Sequence, residues 1–185
     1  NGLLQQYLSQ HAVKRLANEY GLNSFVGEVD GVKLYNWNKM LAEKISKLVN
    51  IAELPFDKIK EYKEKLEKFN NAENVLFEAE DVSVLMLNDD SDAKKIFAQM
   101  GRYLVEAIVE YHRIFGMSNV VLFGGVVQGK AGELIKDEAG KLLREDFPQL
   151  AADIKIQIAP ASVYNAALGA AYLGVANRTV TDGGK

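Results

Sequence analysis

Apolar side chains recur every three or four residues along much of this 185-residue chain, and two stretches near its middle carry the pattern most clearly. The first predicts a long helix over 92–115, with Ile96, Phe97, Met100, Leu104, Ile108, Tyr111 and Phe115 on one face. Asn88-Asp89-Asp90-Ser91-Asp92 supplies its start, because Asp and Ser side chains cap free N–H groups and carboxylates favour the positive end of the helix dipole. Gly116 suits its end. The second predicts a helix over 131–146, with Leu134, Ile135, Leu142 and Leu143 facing inward and Pro148 beyond its end. Between them, Val120-Val121-Leu122-Phe123 reads as a short buried strand closed by Gly124-Gly125. Ile154, Ile156 and Ile158 alternate with Lys155 and Gln157, the period of a half-buried strand that Pro160 ends. A last helix is predicted over 162–176, where Ala166, Ala167, Gly169, Ala170, Ala171 and Gly174 allow close approach to a sheet or another backbone. Residues 179–185 read as a frayed tail.

The earlier half is less regular. Leu3, Leu4, Tyr7, Leu8, Leu16, Ala17 and Tyr20 lie at helical spacing, and Gly21 stands where a helix would stop. Over 23–35, Val29, Val32 and Leu34 alternate around Asp30-Gly31, which can close a small hairpin. A helix is expected over 38–50, with Leu41, Ile45 and Leu48 inward. Another follows Pro55, carrying Ile59, Tyr62, Leu66 and Phe69. Its opposite face interleaves Lys and Glu at pairing distance, so it reads as solvated rather than as a nucleic-acid surface. Asn70-Asn71 breaks the pattern, and 82–87 is a short apolar segment.

From residue 92 onward the order is therefore helix, strand, helix, strand, helix, the alternation that builds a parallel sheet. The fold class expected is α/β, helix-rich, with a short parallel strand pair and a small hairpin. Two strands make a poor parallel sheet alone, so the core is expected to need further partners.

Composition narrows the function classes. A hydrophobic content of 48% is enough for a packed core. A formal charge of −3 argues against nucleic acid as a partner, since such proteins carry a basic stripe. The chain has no cysteine, which excludes disulfides and thiolate metal sites and permits a reducing, cytoplasmic setting. No apolar run is long enough for a membrane span, and no signal peptide is visible at Asn1. Asn177-Arg178-Thr179 matches a glycosylation acceptor, but nothing else points to secretion.

Gly124 to Lys130 holds the candidate chemistry. A strand running into glycines and then a helix N-terminus can hold an anion, because backbone N–H groups come close and the dipole adds partial positive charge. The spacing is G-x-x-x-x-G-K, yet Ala131 stands where a P-loop needs Ser or Thr for magnesium, and the second strand lacks an acidic residue at its end. The G-x-G opening of a dinucleotide fingerprint is also missing. An ordinary tight strand-to-helix connection remains an alternative. The acidic cluster at 88–92 is not an EF-hand, because its sixth position is not glycine and its twelfth is not glutamate. His112, near a helix C-terminus, reads as a residue stabilised by the dipole rather than a catalytic one. The two histidines lie far apart and form no metal site.

Three blocks together resemble the C-terminal half of ROK (repressor/ORF/kinase) proteins: Gly2-Leu3-Leu4-Gln5-Gln6-Tyr7-Leu8-Ser9, Leu122-Phe123-Gly124-Gly125-Val126-Val127 with the long helix before it, and Asn165-Ala166-Ala167-Leu168-Gly169-Ala170-Ala171. That family holds sugar kinases and sugar-responsive repressors of the actin-like ATPase (ribonuclease H-like) superfamily, which includes hexokinase. The resemblance implies a two-lobed protein with ATP and sugar in the cleft, this chain being the C-terminal, nucleotide-side lobe. It assigns 23–75 to an insertion-like segment, 92–177 to the nucleotide-side core and 178–185 to a tail. It places Gly124, Gly125, Val126, Gln128, Gly129 and Lys130 against the nucleotide, with Asn165 near the same pocket.

Gln5 falls where the family has a sugar-contacting glutamate, and an amide can still bond a hydroxyl. Leu3 falls at the family's zinc-binding cysteine, so no zinc is expected. The lobe carrying the catalytic aspartate would precede Asn1, and no residue of this chain is expected to be the base. The implied activity is transfer of the ATP γ-phosphoryl group to a sugar hydroxyl, with Mg2+ neutralising charge. A homodimer through this lobe is also implied. The alternatives are a sugar-sensing repressor of the same family and a non-catalytic interaction domain.

Overall fold

The computed structural model describes residues 8–20, 24–29, 32–48, 51–71 and 77–160. The predicted helix over 162–176 with Asn165, the N-terminal block with Gln5, and the Asp30-Gly31 turn lie outside the described residues. The elements are α1 (Gln10–Glu19), β1 (Ser24–Val29), β2 (Val32–Asn36), α2 (Trp37–Ile45), α3 (Phe56–Asn70), α4 (Asp81–Val84), α5 (Ser91–Phe115), β3 (Asn119–Leu122), α6 (Gly129–Asp146), α7 (Pro148–Ala151) and β4 (Lys155–Ile158). Short 3-10 turns cover Ile51–Glu53, Leu85–Asn88 and Gly125–Val127.

Helix α5 forms where its capping cluster predicts. The Asp90 carboxylate accepts from the backbone N–H of Asp92 and Ala93, at 3.1 and 2.9 Å. That satisfies two of the donors a helix start leaves free. Lys44 at the end of α2 reaches both Asp90 (2.7 Å) and Asp92 (3.1 Å), tying the two helices. At the other end Gly116 adopts φ 65°, and its N–H donates to the His112 carbonyl at 2.8 Å. The His112 ring places Nδ1 2.8 Å from the Met117 carbonyl, so it braces the exit from the helix.

Ile96, Phe97, Met100, Leu104, Val105 and Ile108 of α5 are buried. Burying side chains of this size contributes about 1.5–3 kcal/mol each. The stripe then stops short of expectation. Tyr111 is 38% and Phe115 71% exposed, stacked on each other with ring centroids 5.8 Å apart. No described element covers the last turn of the helix.

Helix α6 lies on α5 through Gly101. A Cβ there would stand 2.9 Å from the Ile135 carbonyl and from Glu138 Cβ, so only glycine permits this approach. Ile135, Ala139 and Leu143 of α6 are buried, and Leu134 and Leu142 are half-buried, which follows the predicted face. Val13, Leu16 and Ala17 of α1 join the same core, as do Met40, Leu41 and Ile45 of α2. Tyr20, assigned to the inner face by spacing, is 40% exposed. Helix α2 ends at Ile45, short of the expected 50, as i→i+3 bonds from Lys47 and Leu48 tighten its last turn.

Strands β3 and β4 pair in parallel, from Asn119 opposite Lys155 to Leu122 opposite Ile158. This is the parallel pair that the alternation of elements predicts. Among the described residues, only one face of it is covered. Val120 and Leu122 pack on the core, whereas Val121 and Phe123 are 54% and 58% exposed, so the strand is half-buried and not buried throughout. Strands β1 and β2 form the expected antiparallel hairpin, with an irregularity between Phe25 and Gly27. No described helix is long and apolar enough to cross a membrane.

Burial opposes ionisation of Asp90, but the Lys44 ammonium and the two N–H donors outweigh it and hold the carboxyl below its ordinary value. A depressed carboxyl contributes stability above the unfolded value near pH 4, and that contribution is lost as pH falls further. Asp90→Ala is therefore expected to lower unfolding free energy at pH 7 by about 2 kcal/mol. Asp90→Asn keeps the cap and is expected to cost less. Its deficit relative to wild type should shrink below about pH 4 in urea titrations, and a constant deficit there would refute the Lys44 pairing as its cause.

Candidate functional site

The turn at 124–130 is built by three backbone departures. Gly124 adopts φ 108° and ψ 167°, Gln128 is extended, and Gly129 adopts φ 59°. The glycine φ values lie in regions that side-chain-bearing residues rarely occupy. Among the described residues the space beyond both glycines is open, with no atom of theirs within 4 Å of the point where a Cβ would stand. Helix α6 begins at Gly129 without a side-chain cap, so its first N–H groups receive no bond from Gln128.

Gly132 anchors the turn. Its missing side chain leaves room for the Val127 carbonyl, which presses directly against the first turn of α6. Gln128, expected to meet a nucleotide, turns inward instead. Its Nε2 donates to the Gly124 carbonyl (3.2 Å) and the Ala159 carbonyl (3.4 Å), lacing the turn to the end of β4. Val126 is buried and offers a ligand only its backbone. Lys130 is exposed, with its ammonium 3.9 Å from Glu53. Among the expected nucleotide contacts, then, Gly124, Gly129 and Lys130 line the open side of the turn, and Gly125 is covered by Glu80. Asn165 and Gln5 lie outside the described residues.

Three carboxylates surround this turn; the sequence pattern marked Asp89 only as part of a capping cluster and did not single out Glu53 or Glu80. Glu80 fills the space beside Gly125 that a side chain would occupy, and Gln10 Nε2 donates to it at 2.8 Å. Glu53 faces Lys130. Asp89 is bonded to Lys94, which holds its carboxyl below the ordinary value, with a smaller contribution from Lys130. All three stand far ahead of the turn in the chain and in separate segments, so no local spacing reveals them.

Glu80 is presented by a rigid base. Its neighbour Asp81 is a buried charge, accepting from the Tyr62 hydroxyl at 2.7 Å, the Glu78 N–H at 2.6 Å and Lys65 at 3.4 Å. Burial first, then the charge of Asp81, pushes the Tyr62 phenol far above its usual range, so it remains a donor. The Ser83 N–H closes the turn onto the Glu80 carbonyl at 3.0 Å.

Beside the turn, Leu8, Leu104, Val121, Phe123 and Val127 line part of an apolar hollow of about 360 Å3. Among the described residues no three His, Asp or Glu side chains gather to hold a metal. Comparison with protein-family models, curated proteins and solved structures returned no match.

The two tight glycines should respond differently to alanine. In Gly132→Ala the new methyl meets backbone, and a loss of about 1–3 kcal/mol is expected despite the better helix propensity. In Gly125→Ala it meets only the movable end of Glu80, so the midpoint of thermal unfolding should change little. Equal losses in the two variants would contradict this packing.

Proposed function

We propose that this chain is the nucleotide-side half of an ATP-dependent sugar kinase of ROK type, with the turn from Gly124 to Lys130 as one wall of the nucleotide cleft. One observation carries the reading: a parallel strand runs into a turn with two glycines of positive φ that leave open space, and an uncapped helix starts there. Free N–H groups and the helix dipole favour a phosphate at that place, and Lys130 adds an exposed cation. The resemblance of the same turn and its flanking blocks to ROK proteins supplies the reaction class.

On this reading the chain binds and orients rather than performs proton transfer. The glycine backbone lies against the nucleotide, Gln128 keeps the turn closed on β4, and Gly132 keeps the helix start in place. When bound, Mg2+ neutralises phosphate charge during transfer to the sugar hydroxyl. Magnesium commonly keeps several waters and takes few protein ligands, so the isolated carboxylates of this chain are compatible with it as outer partners. The base that activates the sugar hydroxyl belongs to the lobe that the resemblance places before Asn1. A sugar-sensing repressor of the same family is the second reading, favoured by the carboxylates Glu80 and Glu53 beside the turn, since carboxylates suit hydroxyl groups better than phosphates.

Calorimetry of the full-length protein with ADP, and a coupled assay of ADP release from ATP in the presence of hexoses, test the proposal. Saturable ADP binding and sugar-dependent release are expected. Gly124→Val should weaken ADP binding more than tenfold, because its side chain enters the open space, while Lys130→Ala should weaken it severalfold without altering the fold. Absence of ADP binding to the wild type would overturn the nucleotide reading. Binding without sugar-dependent release would favour the repressor.

A further inference from the structure

The charge around the turn is unevenly placed. At its first glycines stands Glu80, an exposed carboxylate lying against Gly125 and held there by Gln10. At its far end stands Lys130, an exposed ammonium beside the uncapped start of α6; it faces Glu53 at 3.9 Å and keeps hydrogens free for a further acceptor. A phosphate placed at Gly125 would meet a like charge at close range, whereas one placed at Gly129 and Lys130 would meet a cation and free N–H groups. An exposed carboxylate is, by contrast, a good acceptor for hydroxyl groups, and hydrogen bonds to an ionised acceptor are the stronger kind.

Resting on the nucleotide reading above, we infer that Glu80 accepts the 2′- and 3′-hydroxyls of the nucleotide's ribose at Gly125, so that the phosphates run toward Gly129 and Lys130. Glu80 is thus a specificity residue for the ribose and sets the direction in which the nucleotide crosses the turn. Its position is prepared without ligand. Asp81, buried next to it, fixes the backbone, and Gly125 leaves the space into which the carboxylate fits. Gln10 already donates to Oε1, as a hydroxyl would to the remaining lone pairs.

The test is calorimetry of the full-length protein with ADP and with 2′,3′-dideoxy-ADP. Wild type should bind ADP roughly tenfold more tightly than the dideoxy analogue, the ratio expected for losing hydrogen bonds to a charged acceptor. Glu80→Ala should bring the two affinities together by weakening ADP alone. Glu80→Gln, whose amide oxygen still accepts, should keep part of the preference. Gly125→Ala should reduce the preference as well, by displacing the carboxylate. If wild type binds both nucleotides equally, or if Glu80→Gln tightens ADP, the carboxylate faces phosphate or solvent and this inference fails while the nucleotide reading stands. The same holds if Glu80→Ala weakens glucose binding but leaves ADP and its analogue unchanged, since the diol read there would then be the sugar's. If neither nucleotide binds wild type, both readings fall. Should Glu80→Ala not fold, Glu80→Gln decides: a reduced preference for ADP supports the inference, and a preference equal to that of wild type overturns it.

Discussion

The close contact of α6 with α5 and with its own entry loop sets the geometry of everything around the turn. Gly101 lets the backbone of α6 come against α5, and Gly132 lets the first turn of α6 come against Val127. Each contact is glycine against backbone carbonyl, which rotamer changes cannot relieve. Together they fix where α6 starts, and therefore where its free N–H groups point. The parallel pairing of β3 and β4 then supplies the other side, with Gln128 bonded across to Ala159. A loop held from so many directions can keep two glycines at positive φ with open space beyond them.

The acidic side of the site has a separate origin. It depends on Asp81, a buried charge made tolerable by three donors from Tyr62, Lys65 and the Glu78 backbone. A buried carboxylate without such partners would cost several kcal/mol. With them it anchors the short α4 and points its neighbour Glu80 toward Gly125. The Asp90 cap plays a similar part at the start of α5, where Lys44 joins it to α2. Asp81 thus ties α4 to α3, and Asp90 ties α2 to the start of α5.

These two systems meet at the turn with opposite charge. The helix start and Lys130 favour an anion, while Glu80, Glu53 and Asp89 oppose one. A simple phosphate cradle would not be ringed in this way. The exposed faces of Val121 and Phe123, and the stacked Tyr111 and Phe115, show that apolar surface near β3 is left uncovered by the described elements.

Much of the framework was legible in local pattern. The spacing of Ile96, Phe97, Met100, Leu104 and Ile108, the Asp90 cap, the Gly116 stop and the alternation of Ile154, Ile156 and Ile158 each act over a few residues, so the sequence alone determined these helices, the strands and the glycine turn. The parallel sense of β3 and β4 also followed from the order of elements. What tertiary structure decided was which side chains face each other. Tyr111 and Phe115 fit the helical stripe yet stay exposed, because a stripe is buried only as far as a neighbour covers it. Gln128 bonds the carbonyls of Gly124 and Ala159, because β4 ends beside it. Glu80 reaches the distant Gly125 because Asp81 is buried beneath α3. No local signal encodes such encounters, since they exist only after distant elements have packed.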